Sequence, residues 1–254
     1  MKTIKYLASK IYILWVLIVF SVFMILLLPV ILLPILIHPK VGMGTFYGLK
    51  LWSILFSILN FIPYKISGKK NLDRSKSYIY TSNHTSFLDI PGITLAIPTQ
   101  FRPLAKKELL KIPVFGIIAR VVTVIVDRSS PESRQRSMKK LKNILSKGVS
   151  ILIFPEGTQN RSKELLQPIY SGAFRMAIET KAPIMPMVVI NAGNLMPPGG
   201  INIKPGKIKV VFGKEISTAD YSMEQVNEFK ELTFTAMEKL LVENGAKEVM
   251  PSQS

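Results

Sequence analysis

The chain opens with two long apolar runs and then changes character. Residues 11–37 carry no charged side chain, and after a break over residues 38–44, which holds His38, a second apolar segment covers residues 46–62, interrupted by Lys50. A bilayer-crossing helix needs roughly 20 apolar residues, so the first run is long enough and the second lies at the lower limit. The first run is too long for the apolar region of a secretory leader, and no small-residue cleavage site follows it. Pro29 and Pro34 are expected to bend or end its helix late.

From about Lys69 onward, short stretches rich in Val and Ile alternate with amphipathic ones. Residues 78–81, 121–126, 149–154, 184–190 and 208–212 read as buried strands. Residues 131–147 read as a helix with Ser130 as cap, Pro131 at the first position and Gly148 closing it. Met138, Leu141, Ile144 and Leu145 form its inner stripe, while Arg134, Arg136, Lys139, Lys140 and Lys142 form a solvated face. A last amphipathic helix over residues 223–242 is expected to pack Val226, Phe229, Leu232 (or Thr233), Met237 and Leu240. Strands alternating with helices predict an α/β layered domain, a central sheet flanked by helices. The expected organisation is a membrane-embedded two-helix hairpin over residues 1–66, the α/β domain over 67–248 and a loose tail over 249–254.

Charge sharpens this division. The formal net charge is +17, and residues 1–70 hold eight lysines and no acid. Lys2, Lys5 and Lys10 precede the first apolar run, Lys65, Lys69 and Lys70 follow the second, and only Lys40 lies between. A hairpin entering from the cytoplasmic side satisfies the positive-inside tendency at both ends. Two other arrangements fit the same residues: one spanning helix followed by a buried helix, and a hairpin lying within one leaflet. A basic surface suits nucleic acid, anionic lipid or phosphorylated substrates. Cysteine is absent, which excludes disulfides, thiolate metal sites and a cysteine nucleophile.

The candidate chemistry centres on Asn83-His84-Thr85-Ser86-Phe87-Leu88-Asp89. His84 is one of two histidines, and His38 lies between the apolar runs, so His84 is the natural proton-transfer group near neutral pH. Residues five apart on a regular helix point roughly 140° away from each other, which would separate His84 from Asp89. Ser86 and Asp89, however, have the S-x-x-D pattern of an N-terminal cap, and Pro91 is tolerated in a first turn. A helix starting between Ser86 and Asp89 lets Asp89 reach back to one imidazole nitrogen and leaves the other as a base. The same pattern also fits a His and an Asp that only cap a helix.

Two further sites end predicted strands: Val126-Asp127-Arg128, and Phe154-Pro155-Glu156-Gly157-Thr158-Gln159-Asn160-Arg161. In open α/β sheets ligands sit beyond the carboxyl ends of strands, and arginine suits phosphate. Gly157 lets backbone N–H groups approach an anion.

With these blocks in this order, the chain resembles the 1-acyl-sn-glycerol-3-phosphate acyltransferases, the lysophosphatidate acyltransferases of the glycerolipid acyltransferase family. Asn83-His84 to Asp89 matches the family's NHxxxxD box. Lys106 to Arg128 matches the second block, Phe154 to Thr158 the third, and Ala182-Pro183-Ile184-Met185-Pro186-Met187 the fourth. The chain departs from the pattern at Gln159, where many members have Arg, and at Tyr170-Ser171, where many have a basic residue before Gly172-Ala173-Phe174.

The resemblance implies acyl transfer from acyl-coenzyme A or acyl-carrier protein to the sn-2 hydroxyl of lysophosphatidate, giving phosphatidate for phospholipid synthesis. It makes His84 the base and Asp89 its orienter, with Asn83 in support. Arg128, Arg161 and Lys106 would hold the acceptor phosphate, and Glu156, Gly157 and Thr158 would form the acceptor or oxyanion motif. It implies a domain on the cytoplasmic side of the inner membrane, favours the one-leaflet hairpin, and calls for no cofactor, no metal and no nucleic acid. The sequence alternatives are another lysolipid or glycerol 3-phosphate as acceptor, or a non-catalytic, membrane-tethered basic binding protein. The latter gives His84, Asp89 and Glu156 no role.

Overall fold

The computed structural model describes residues 2–37, 42–112, 115–126 and 130–247. The expected tail and Asp127-Arg128 lie outside these residues, as do residues 38–41 of the expected break.

The first apolar run forms two helices, α1 (Lys2–Leu26) and α2 (Leu28–Ile37). The turn at Leu27 comes just before Pro29, which lies in the first turn of α2, where a missing N–H costs little. The second apolar run forms α3 (Gly42–Leu59), which folds back on both. Tyr12 Oη donates to Asn60 O at 2.6 Å, Trp15 Nε1 to Leu59 O at 2.9 Å, and Thr45 Oγ1 to Ile31 O at 2.7 Å. Phe20 meets Trp52 edge-on at 5.3 Å, and Trp52 stacks on Phe56. Thr3–Pro34 is the one stretch among the described residues with the length and composition to cross a membrane.

The sheet has seven strands: β1 (Tyr64–Ser67), β2 (Ile79–Ser82), β3 (Phe101–Lys106), β4 (Val124–Val126), β5 (Ser150–Ile153), β6 (Ile184–Ile190) and β7 (Ile208–Phe212). Their order is β1-β7-β6-β2-β5-β3-β4, parallel throughout except for the antiparallel β6–β7 pair. Helices α4 (Asp89–Ala96), α5 (Phe115–Val122), α6 (Pro131–Leu145), α7 (Gly172–Thr180), α8 (Ala192–Leu195) and α9 (Val226–Glu243) complete the fold.

Side-chain alternation along the strands separates two apolar layers. Tyr80, Leu152, Met185, Met187 and Val210 face one way and share a cluster with Ile13, Ile31 and Trp52 of the apolar helices and with Ile93 of α4 and Ile118 of α5. Ile79, Ile151, Ile153 and Ile184 face the other way, onto Leu141 and Leu145 of α6, Phe174 of α7 and Phe229 of α9. The apolar helices thus continue the core of the sheet. Strand β1 straddles residue 66, where the sequence places the end of the hairpin.

Several sequence expectations shift. Val121 and Val122 end α5 rather than begin a strand; a short apolar run does not distinguish the last turn of a buried helix from a strand. Strands β1 and β3 go unpredicted. The first alternates half-buried Tyr64 and Ile66 with exposed Lys65 and Ser67, and the second contains Pro103. Pro103 is tolerated where β3 changes partner, from β5 over Phe101 to Pro103 to β4 from Leu104 onward. In α9 the helical phase buries Thr233 and Leu241, while Leu232 is 45% exposed. Ser130 caps α6 as its position suggests, accepting from Ser133 N–H at 3.1 Å.

Gly92 of α4 lets the helix backbone approach side chains of β1 and β7 closely. A Cβ there would lie 2.7 Å from two ring carbons of Tyr64 and 3.2 Å from Val210 Cγ2. Gly92→Ala is expected to destabilise the protein by about 1–3 kcal/mol through overpacking. Gly172→Ala, where nothing lies within 4 Å of the added carbon, should leave stability unchanged or slightly raised. Thermal melting of the two variants in detergent checks both; equal melting temperatures would refute the packing argument.

Candidate active site

The parallel strands β2, β5, β3 and β4 are neighbours, so their carboxyl ends open on one side of the sheet. His84 follows β2, Glu156 follows β5, and Lys106 ends β3, in register with Val126 of β4. The sequence blocks therefore meet at one end of the sheet although 72 residues separate His84 from Glu156.

The loop after β2 is fixed at both ends. Asn83 donates through Nδ2 to Val189 O at 2.9 Å and accepts at Oδ1 from Val189 N–H at 2.8 Å, which ties the loop to β6. Asp89, fully buried, is the first residue of α4 and reaches back over the loop. Its Oδ2 lies 2.8 Å from His84 Nδ1 and accepts from Thr85 N–H at 2.8 Å and Ser86 N–H at 2.9 Å. The helix start and the back-reaching acid match the S-x-x-D expectation, but the Ser86 hydroxyl accepts from Leu88 N–H instead of capping α4. An oxygen that already takes two backbone N–H groups is an acceptor, so His84 Nδ1 carries the proton facing it. Nε2 is left as the basic nitrogen. The imidazole is 18% exposed and stacks on Phe154, ring centres 4.0 Å apart.

The main chain of His84 is held by the loop after β5. Its N–H donates to Glu156 Oε1 at 2.7 Å, and its carbonyl accepts from Asn160 N–H at 2.6 Å. Glu156 Oε2 accepts from Gln167 N–H at 2.9 Å. Asn160 Oδ1 accepts from Ser162 N–H and Oγ and from Gln167 Nε2, and Asn160 Nδ2 donates to Glu164 O. Glu156 is only 2% exposed, and both its oxygens serve backbone groups, so it braces His84 instead of opening toward an acceptor. Gly157, at φ +74°, turns its N–H inward onto Phe154 O at 3.0 Å, which removes it as an oxyanion donor. Thr158 is exposed on the same turn.

Of the expected phosphate ligands, Lys106 is exposed at the end of β3. Arg161 is exposed with its guanidinium against Gly199, where a Cβ would lie 2.9 Å from Nη2. Arg128 lies outside the described residues. Among the described residues no group of three or more His, Asp or Glu gathers to hold a metal. Sequence reasoning missed Asn160 and Gln167. Asn160-Arg161-Ser162 has the form of an Asx turn, a readable signal, whereas Gln167 has none.

Burial pushes the Glu156 carboxyl up from its ordinary 4.5 to about 7, against the opposing pull of the Gln167 and His84 N–H groups; the Asp89 charge adds to the rise. A carboxyl raised in the folded state favours the proton-bound native form. Its stabilising contribution is complete below about pH 4.5 and is lost as pH rises through about 7. The loss is on the order of 3 kcal/mol by the usual conversion of pKa shift to free energy. The melting temperature of wild type should therefore fall relative to Glu156→Gln between those pH values, and a constant difference would refute the assignment.

Comparison with known proteins agrees with this geometry. Residues 63–190 match the family model described as Acyltransferase. The chain is 31% identical over 217 residues to a 1-acyl-sn-glycerol-3-phosphate acyltransferase of Cocos nucifera, covering 85% of this chain and 67% of that protein. It is 34% identical over 184 residues to the enzyme of that name from Saccharomyces cerevisiae, covering 71% of this chain and 60% of the yeast protein. In fold it is similar to the crystal structure of the 1-acyl-sn-glycerophosphate (LPA) acyltransferase PlsC from Thermotoga maritima. That similarity has a TM-score of 0.73 at 21% identity and covers 94% of this chain and 98% of the other. A paired His and Asp on the strand-end loop, a matched domain spanning half the chain and a shared fold lead to one assignment: this chain belongs to the acyltransferase family that includes the 1-acyl-sn-glycerol-3-phosphate acyltransferases.

Proposed function

We propose that the protein transfers a fatty acyl group from an acyl thioester, carried by coenzyme A or by an acyl-carrier protein, to the sn-2 hydroxyl of lysophosphatidate. The observation that carries this reading is the 2.8 Å contact between His84 Nδ1 and Asp89 Oδ2, which leaves Nε2 as the basic nitrogen. Nε2 takes the hydroxyl proton as the oxygen forms its bond to the thioester carbon. The carbon–sulfur bond then breaks, and the imidazolium returns its proton to the departing thiolate. The acyl group passes directly to the acceptor, in keeping with a chain that has no cysteine and no G-x-S-x-G elbow.

Arg161, after β5, and Lys106, the last residue of β3, hold the acceptor phosphate in this mechanism together with Arg128, which follows Val126 by two residues in the sequence. With Gly157 N–H turned inward, the exposed Thr158 turn is the remaining part of its motif to face the oxyanion. The substrates bring acyl chains with them, and the outer faces of α1 to α3 present Ile11, Leu14, Ile18, Leu51, Ile54 and Ile58. We place these helices in the cytoplasmic leaflet of a cell membrane, with the carboxyl ends of the strands at headgroup depth.

The test is phosphatidate formation from a palmitoyl thioester and lysophosphatidate in detergent micelles. His84→Ala is expected to lower kcat by roughly 10²–10⁴-fold, the usual contribution of a positioned base, with the melting temperature retained. Full activity in that variant would refute the mechanism. Inactive wild type with either donor, but activity on another lysolipid or on glycerol 3-phosphate, would move the assignment to that acceptor.

A further inference from the structure

The outer face of α6 takes no part in the chemistry above, yet it is the most strongly charged helical surface of the sheet domain. Its exposed positions and the turn after it carry Arg136, Lys139, Lys140 and Lys147, with Asn143 between them. Arg136 stands three and four residues before Lys139 and Lys140, a spacing at which like charges repel and weaken a helix. Glu132, in the first turn, is the helix's one acid, and Glu179 of α7 pairs with Lys142 on the flank. Between the two helices runs an open groove of about 370 Å³ lined by Gln135, Met138, Lys139, Lys142 and Glu179. The surface thus combines an apolar floor at Met138 with a cationic rim.

Its position in the fold selects the kind of anion. Helix α6 packs Leu141 and Leu145 on the layer of Ile79, Ile151 and Ile153, whereas the apolar helices pack on the opposite layer with Tyr80 and Leu152. Its charged face is therefore on the far side of the sheet from the elements that enter the membrane, and lipid headgroups meet the other side. From Arg136 to the helix end at Leu145 the face spans roughly 14 Å at 1.5 Å per residue, with Lys147 in the turn beyond. That length suits an acidic helix better than the phosphates of one nucleotide. The Ser130 cap of α6 follows the end of β4 by four residues, and β4 is one of the two edges of the sheet, its carboxyl end lying on the side where Lys106 and His84 stand.

We propose that the outer face of α6 and the groove beside α7 dock an acidic acyl-carrier protein, which presents its acyl thioester to His84 around the β4 edge. The proposal rests on the acyl-transfer reading and selects between its two donors.

The experiment compares palmitoyl-acyl-carrier protein with palmitoyl-coenzyme A as donor to lysophosphatidate, for wild type and for Lys139→Glu/Lys140→Glu. Both side chains are exposed, and circular dichroism and thermal melting check that the fold is kept. The variant is expected to lose about tenfold or more in kcat/KM with the carrier-borne donor, mainly through KM and with a weaker salt dependence, as for charges that steer association. With the coenzyme A donor it should stay within about twofold of wild type. Equal losses with both donors, an unchanged rate with the carrier, or a wild type that accepts only coenzyme A would each overturn the proposal alone. Reduced binding of the variant to vesicles of anionic phospholipid, at an unchanged carrier rate, would assign the face to lipid and also overturn it. A wild type inactive with both donors would overturn the acyl-transfer reading and this proposal together.

Discussion

One buried oxygen, Asp89 Oδ2, sets the shape of the catalytic end. Taking a carboxylate out of water costs free energy unless donors replace the water, and three converge on this one atom, an imidazole and two successive backbone N–H groups, while Oδ1 is buried without a hydrogen-bond partner. Those donors come from His84, Thr85 and Ser86, so the loop has to curl around the first residue of α4. The N-terminal end of the helix adds its own favourable field for the anion. The imidazole orientation is therefore a by-product of solvating a charge without water.

Glu156 extends this principle across the sheet. It brings a second carboxyl out of water, spends both oxygens on main-chain N–H groups of His84 and Gln167, and binds two loops that are distant in sequence. Asn160 closes the arrangement by donating its own N–H to the His84 carbonyl. His84 is thus held at its ring by Asp89 and at its amide and its carbonyl by the loop after β5. Such redundancy suits the role proposed for His84, whose Nε2 would meet a substrate hydroxyl at hydrogen-bonding distance.

The sequence was legible where local chemistry and tertiary demand agree. Residues 184–190 are apolar throughout and 208–212 are apolar apart from the exposed Lys209, and they become β6 and β7 with unchanged limits, while the Ser130-Pro131 start of α6 follows from capping alone. The His84–Asp89 contact was readable because the S-x-x-D pattern and Pro91 placed the helix start at the right residues, although the Ser86 hydroxyl accepts from Leu88 N–H and does not cap α4. Strands β1 and β3 were not, because Lys65 and Pro103 violate local strand preference and are tolerated only at an edge and at a change of partner. Glu156 was recognised as part of a motif, but its direction was not. Whether a carboxylate faces a ligand or the backbone of a neighbouring loop depends on contacts such as that with Gln167, which no spacing announces.

The sharing of one apolar layer between the N-terminal helices and the sheet has a consequence for how the protein can be handled and how it can evolve. Ile13, Ile31, Trp52 and Phe56 pack in the same cluster as Tyr80, Leu88 and Ile93, the last two beside the dyad itself. These helices are a wall of the catalytic domain, not a tether to it. Clipping them away would leave an uncovered apolar face rather than a soluble enzyme, and swapping in a foreign anchor would replace the packing of α3 against α4. For this molecule, the seating of its apolar helices and the integrity of the loop that carries His84 are one folding problem.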